Sequence, residues 1–551
     1  MIERPDWALV SRWGSRHGVP SSASGIRLAA GWPTARIVVV ASTLQDIRGV
    51  IADPRYTYRQ RVAALANLAE NLLEPPAVSA DCAAALEKRI ICDMYEGNAP
   101  YRPRYLLPDY ARVLQRGSDF LELPPAQDLD DALAYLLITY SQTPSITGYP
   151  VYFGDLDTLL LPYAEGVGDG DLYAKLKRFW ISLDRMFPDA FAHTDLSPAY
   201  NRVARTILRL ERELLQVVPN ISLKVDPVLT SDDYLLDAVE TVFACGKPHF
   251  INDVMMQNDL GPGYAAVSCY NSLRLGGGSH TLVRINLKET ALANSRGVDE
   301  FFAATLPYYL GLTAELMESR VRFLVEESGF YESSWLVSEG LLSLDRFSAM
   351  FGIFGLAEAV DILMERDGLP GTYGHSETAD ELGYRITSAI ADWVADRPMP
   401  YCDGNGGRAL LHSQSGIDLD IGVTAGTRIP IGTEPPLIEH LRTVGRHHHL
   451  FAAGISDVLS FDETAVANPQ AVVDVIRGAF RSGMRDFTFN LDSNDFIRIT
   501  GYLVRKSDLA KMPGARHGST LLGAGSVADS HVDKRNVKRV VSHESSPRIS
   551  S

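Results

Sequence analysis

From about residue 221 the chain alternates strand and helix, and this alternation limits its possible folds more than any other feature. ISLKV (221–225) reads as a short strand, DDYLLDAVETVFACG as a helix closed by Gly246, PHFIND as a second strand and TLVRINL (281–287) as a third. Near the C-terminus the pattern returns. HLFAAGISDVLSF carries a strand, and Asn468 with Pro469 opens a helix whose apolar face is Val472, Val475, Ile476, Ala479 and Phe480. Gly483 ends that helix, and DFTFN (486–490) alternates as a strand should. Strands joined through helices need crossover connections, which give a parallel sheet or a barrel clothed in helices.

The rest of the chain is less regular. A helical pattern starts at Tyr58 and stops before Pro75 and Pro76. Residues 101–165 read as short helices and turns, and 170–217 as mostly helical, with Ser197 as a cap and Pro198 in the first turn of one helix. A largely helical stretch spans roughly 298–397. The expected division is a poorly ordered extension over 1–40, an α/β barrel with helical insertions over 41–430, and a C-terminal region over 431–551.

Composition removes several function classes. A net charge of -16 argues against nucleic acid as a partner, because phosphate binding needs a basic surface. No apolar run reaches the length of a membrane span, and the N-terminus lacks the apolar core of a signal peptide. The five cysteines are Cys82, Cys92, Cys245, Cys269 and Cys402. They are odd in number, scattered and free of any CxxC pair, which points to reduced thiols in the cytoplasm rather than a disulfide or zinc framework.

One stretch contradicts its own pattern. FIRITGYLVRK (496–506) is rich in strand formers, yet Gly501 sits in its middle, where a strand gains nothing from glycine. Arg498-Ile499-Thr500-Gly501-Tyr502 resembles the Arg-Val-x-Gly-Tyr motif of glycyl radical enzymes, with Ile in place of Val. That family also has a Gly-x-Pro-x-Phe-x-Asn-Asp stretch followed by a cysteine on a loop at the barrel centre. Here GKPHFINDVMM (246–256) precedes AAVSCYNSL with Cys269, and Gly501 lies 232 positions further on. The stretches ICDMYEGNAPYRPRYLLPDYA, SCYNSLRLGGG and ARHGSTLLGAG bring the resemblance closest to the YjjI-type members, over about residues 55–551.

The resemblance implies a ten-stranded α/β barrel of two five-stranded half-barrels, with the Cys269 and Gly501 loops meeting inside. It implies an oxygen-sensitive enzyme without a permanently bound cofactor. The radical is kept on Gly501 and passed to Cys269, whose thiyl radical takes a hydrogen from a small oxygenated substrate in lyase, dehydratase or acyltransferase-like chemistry. It further implies a separate radical S-adenosylmethionine activating enzyme as partner, and a homodimer. The residue types suit this chemistry. A glycine Cα can become planar because it has no Cβ, and a thiol hydrogen is weakly held.

Two departures narrow the reaction. Ser268 and Tyr270 flank Cys269, so the paired cysteines of the pyruvate formate-lyase relatives are missing. Asn271 stands where dehydratase relatives carry a glutamate base, and an amide takes no proton at neutral pH. Asn271 remains a hydrogen-bond partner for a hydroxyl or carbonyl. Asp253, Asp226, His280, His412 and Glu434 are the candidate bases, and Arg284 is the candidate anion contact or strand ion pair. GGGSH (276–280) lacks the lysine and helix of a phosphate loop and reads as a tight turn. His447, His448 and His449 are consecutive, so they do not share a face on which to hold one metal ion. Two rival readings are an anaerobic ribonucleotide reductase relative and an inactive barrel scaffold. The first is weakened because no cysteine follows Cys402 to build the zinc site of that class.

Overall fold

The computed structural model describes residues 44–144, 152–186, 192–267, 270–413, 420, 422–499, 502–509 and 538–540, with 55, 57 and 95 excepted. The chain divides into two units, residues 1–52 and 53–551. In the first, residues 44–52 are helical, and the extension expected over 1–40 lies outside the described residues.

The strands of the second unit come in two runs, each followed by a hairpin. The first run is β1 (Ile91–Cys92), β2 (Tyr105–Leu107), β3 (Tyr152–Asp155), β4 (His193–Leu196), β5 (Asn220–Val225) and β6 (His249–Asn252), followed by the hairpin β7 (Tyr264–Val267) and β8 (Asn271–Arg274). The second run is β9 (Gly277–Asn286), β10 (Phe347–Phe354), β11 (Leu410–Ser413), β12 (Asp457–Phe461) and β13 (Asp486–Leu491), followed by the hairpin β14 (Phe496–Ile499) and β15 (Tyr502–Arg505).

Strands β3 to β6 pair in parallel, as do β9 to β11 and β12 with β13. The two runs meet antiparallel at both ends. β1 and β2 share one edge of β9, at Ile91↔Ile285 and Tyr105↔Ser279, and β6 pairs with β13 through Ile251↔Asp486. Because β1 and β2 occupy a single position beside β9, the result is two oppositely directed sets of five, the ten-stranded α/β barrel that the family resemblance implies. β12 and β13, which complete the second set, lie beyond residue 430.

Side chains alternate across these strands. Ile221, Leu223 and Val225 of β5, Phe250 of β6, and Phe487 and Phe489 of β13 join the large apolar core beneath the helices. Helix Asp232–Cys245 adds Tyr234, Leu235, Ala238, Val239 and Val242 to the same core, and it ends at Gly246 with φ +69°. Each such fully buried aliphatic side chain contributes about 1.5–3 kcal/mol, so the shell of the barrel is held by apolar contact. The opposite parity is polar and equally buried: His193 and Asp195 on β4, Asn220, Ser222 and Lys224 on β5, His249 on β6, and Asp486 and Thr488 on β13.

Several expectations change. β10 (FSAMFGIF) interrupts the stretch read as helical, because a strand buried on both faces shows a continuous apolar run without alternation. β4 (HTDL) breaks the helical reading of 170–217. The helix given to Ser197 begins instead at Arg202, where Asn201 Oδ1 accepts from the amides of Val203 and Ala204. Ser197 is held by Asp157, whose Oδ1 accepts its amide at 2.9 Å. The turn in LGGGSH is Leu275–Gly276, and the next glycines already belong to β9. A Cβ at Gly278 would lie 1.9 Å from Tyr105 O, so β2 can approach β9 there only because no side chain intervenes.

Candidate active site at the meeting of two hairpins

Hairpin β7–β8 is bonded to both halves of the barrel. Lys224 Nζ donates to Tyr264 O at 3.1 Å, and Ala266 N–H donates to Asp195 Oδ2 at 2.9 Å. From the second half Ser272 N–H donates to Ala453 O at 2.8 Å, and Asn271 Nδ2 donates to Tyr105 Oη of β2 at 3.2 Å. Its ladder closes at Val267↔Asn271. Ser268 and Cys269, which follow Val267 in the chain, lie outside the described residues. Tyr270 is buried with φ +66°. Gly454, at φ +121°, passes so close that a Cβ would stand 2.0 Å from Tyr270 O.

Hairpin β14–β15 enters beside β13. Asn490 clamps Arg498 through both backbone groups: its Oδ1 accepts from Arg498 N–H at 2.7 Å, and its Nδ2 donates to Arg498 O at 2.9 Å. Arg498 Nη2 donates to Asn220 Oδ1 at 3.0 Å and to Gly246 O at 3.3 Å. Phe496 and Leu503 pack over Cys245, whose thiol pKa burial pushes up to about 12. The ladder closes at Ile499↔Tyr502; Thr500 and Gly501, which join these two residues, lie outside the described residues.

The two hairpins touch. The Arg498 side chain interacts electrostatically with Tyr270, the residue that follows Cys269. The Tyr270 ring lies 4.4 Å from the His249 ring, and His249 Nδ1 lies 3.8 Å from Asp486 Oδ1. Neither nitrogen of His249 and neither oxygen of Asp486 has a hydrogen-bond partner at good geometry. Burial raises the Asp486 carboxyl to about 8 against the pull of the Ser456 hydroxyl and Arg498, Arg428 and Arg485, so it is mostly protonated at neutral pH. Burial, together with the Arg498 charge, keeps His193 neutral down to about 3 and lowers His249 in the same way.

Of the residues singled out from the sequence, Asn271 and Asp253 reach hairpin β7–β8. Asp253 Oδ1 accepts from Tyr264 Oη at 2.7 Å and its Oδ2 from Gln257 Nε2 at 2.7 Å. His412 Nδ1 lies 3.1 Å from Ala453 O, the carbonyl that also holds Ser272. The others are held elsewhere. Arg284 Nη1 donates to Asp420 Oδ2 at 2.6 Å, the ion pair rather than the open anion contact. His280 is fixed between Tyr331 Oη and Tyr401 O, each at 2.8 Å, and burial lowers it to about 4. Glu434 Oε2 accepts from Gly432 N–H, and Asp226 Oδ1 caps the turn at Val228 and Leu229. The three consecutive histidines diverge. His447 meets Thr387 and Tyr373, His448 Nδ1 accepts from Arg485 N–H, and His449 faces Tyr384. Among the described residues no three histidine, cysteine, aspartate or glutamate side chains are grouped to hold a metal ion, and no helix is long and apolar enough to cross a membrane.

His193, Asp195, Lys224, His249 and Asp486 escape sequence reasoning. Their signal is alternation in HTDL and NISLKV, but an alternating strand ordinarily turns its polar face to water.

The chain also returns to the barrel after the second hairpin. Lys538 adds to the edge of β12 beside Phe461, with its amide bonded to Ser460 O and its carbonyl to Asp462 N–H, each at 3.0 Å. Lys538 Nζ donates to His440 Nδ1 at 2.6 Å, and His440 Nε2 is bonded to Asp457 Oδ2 at 2.8 Å. Phe461 O in turn accepts from Asp492 N–H, just before β14.

Solved structures of glycyl radical enzymes share this barrel fold. An anaerobic ribonucleotide reductase superposes with TM-score 0.68 over 92% of this chain and 94% of its own, at 12% identity. Hydroxyproline dehydratase of Clostridioides difficile gives TM-score 0.61 over 90% of this chain and 88% of its own, also at 12% identity. Residues 56–538 match the family described as glycyl radical enzyme YjjI-like, and the chain belongs to that family. The YjjI protein of Escherichia coli K12 is 46% identical over 509 residues, covering 92% of this chain and 98% of the relative. A protein of Haemophilus influenzae Rd is 39% identical over 476 residues, covering 85% of this chain and 92% of the relative.

Proposed function

We propose that Gly501 stores the radical and that Cys269 converts it into a reactive thiyl. The observation that carries this reading is the interaction of Arg498, in the glycine motif, with Tyr270, the neighbour of the cysteine. A separate radical S-adenosylmethionine enzyme removes one hydrogen atom from Gly501. Gly501 then recovers a hydrogen atom from the Cys269 thiol, and the thiyl takes one from substrate. The flanking residues Val267, Tyr270, Ile497 and Arg498 are buried, and a setting closed to water and oxidants suits such an intermediate.

The substrate is small and oxygenated, and the reaction is an elimination or a C–C or C–heteroatom cleavage. Asn271, fully buried beside Tyr105, holds a substrate hydroxyl or carbonyl and does not act as base. At the root of hairpin β7–β8 a cleft of about 800 Å³, lined by Leu260, Gly263, Arg274, Arg346 and Asn405 among others, is large enough to admit a small molecule. The activity is cytoplasmic and anaerobic.

Anaerobic activation followed by electron paramagnetic resonance tests the reading. A doublet from the remaining α-hydrogen of Gly501 is expected, and Gly501→Ala removes it. Cys269→Ser keeps the doublet but abolishes turnover. A doublet that survives Gly501→Ala overturns the assignment.

A further inference from the structure

Hairpin β14–β15 rests on three ends of the first half-barrel. Helix Arg202–Leu214 runs out at Leu215, whose carbonyl accepts from Arg505 Nη2. Helix Asp232–Cys245 offers Phe243 O to Asn494 Nδ2 at 2.8 Å and, just past its end, Gly246 O to Arg498. Its Cys245 lies under Phe496 and Leu503. Strand β5 begins at Asn220, whose Oδ1 accepts from Arg498. These contacts involve both strands of the hairpin, so the spacing of the three ends sets its place.

One fully buried ion pair ties the same three ends together. Glu211, in the last turn of helix Arg202–Leu214, holds Lys247 Nζ at 2.6 Å through Oε2. Lys247 follows Gly246 at the end of helix Asp232–Cys245. Its Nζ also donates to Pro219 O at 2.8 Å, directly before β5. The other carboxylate oxygen, Oε1, accepts from Trp180 Nε1 at 2.7 Å, which fixes it to helix Asp169–Met186. Neither charged side chain reaches solvent.

A pair so deeply buried adds little to stability, because its attraction barely offsets the water that both groups lose. Apolar side chains of like volume would fill the space as well. They would lack direction: an ammonium held by a carboxylate selects the Pro219 carbonyl, and a methyl group selects nothing. Fixing one arrangement among several is the best-attested use of buried ionic groups.

We propose that Glu211 and Lys247 are positioning residues for hairpin β14–β15. The pair sets the spacing of Leu215, Asn220 and Gly246, and with it the register in which Arg498 is seated. The inference concerns the seat of the hairpin and does not depend on a radical at Gly501.

Hydrogen exchange in the full chain, without activation, tests this. Glu211→Gln together with Lys247→Met removes both charges at nearly constant volume, so the thermal midpoint should stay within about 3 °C of the wild type. Residues 496–499 and 502–505 should nevertheless exchange about tenfold faster, the scale of one lost charge-assisted hydrogen bond, and Cys245 should label faster with maleimide. Strands β9 and β10, in the other half-barrel, should exchange at the wild-type rate. Glu211→Gln alone, a gentler change that leaves Lys247 in place, should speed the hairpin by a smaller factor with β9 and β10 again unmoved, and it decides the matter where the double variant does not fold. Unchanged exchange of the hairpin once the pair is broken overturns the proposal. So does exchange that rises equally in β9 and β10, because the pair then holds the fold as a whole and does not seat the hairpin.

Discussion

Asp486 and Arg498 illustrate how much one buried group decides. The folded chain holds the Asp486 proton up to about pH 8, whereas an unfolded carboxyl releases it near 3.8. A raised folded value means stability that is complete below pH 3.8 and is lost as the pH climbs through about 8. Asp486→Asn mimics the neutral acid, so its thermal midpoint should exceed that of the wild type at pH 8, with the gap closing toward pH 4. His193 works in the opposite sense. Its folded value of about 3 lies below the ordinary 6.5, so its contribution is complete above pH 6.5 and is lost as the pH falls toward 3. A His193→Gln variant should flatten the acid limb of the stability curve. Arg498→Lys keeps the charge but loses the planar guanidinium that reaches Asn220 and Gly246. Bonds of this kind are worth about 1.5–3 kcal/mol each. Arg498→Lys should loosen the second hairpin and speed maleimide labelling of Cys245, which Phe496 and Leu503 cover.

Among the elements, hairpin β7–β8 depends on a neighbour far away in the chain. Gly454→Ala would place a methyl group 2.0 Å from Tyr270 O at φ +121°, a contact and a backbone state that an alanine cannot accept. It should cost several kcal/mol, on the scale of the largest single substitutions. Native hydrogen exchange should then report faster opening of residues 264–274. The elements also show what the sequence made readable. β5, β6 and β13 stood out because apolar and polar residues alternate in them. β10 did not, since its eight residues are buried on both faces and carry no period. β4 was hidden for a different reason: HTDL has one strongly apolar residue, and its polar side chains are wanted inside. The short motifs bracket the places where hairpins β7–β8 and β14–β15 lie, but the buried polar face of the strands was not legible. A sequence records that a strand has a polar face and is silent on whether the fold encloses it.

For the whole molecule, the order of parts is five strand positions and a hairpin, then five strand positions and a hairpin. The glycine-bearing stretch is fastened at both ends to one place. Asp492 leaves the barrel bonded to Phe461, and Lys538 comes back to the same residue. Residues 492 and 538 are thus tied to a single post, so a loss at β12 loosens the chain on both sides of the second hairpin. Lys538→Ala removes the Nζ bond to His440 but keeps the backbone bonds to Ser460 and Asp462, so the return should loosen only in part, with Cys245 labelled modestly faster.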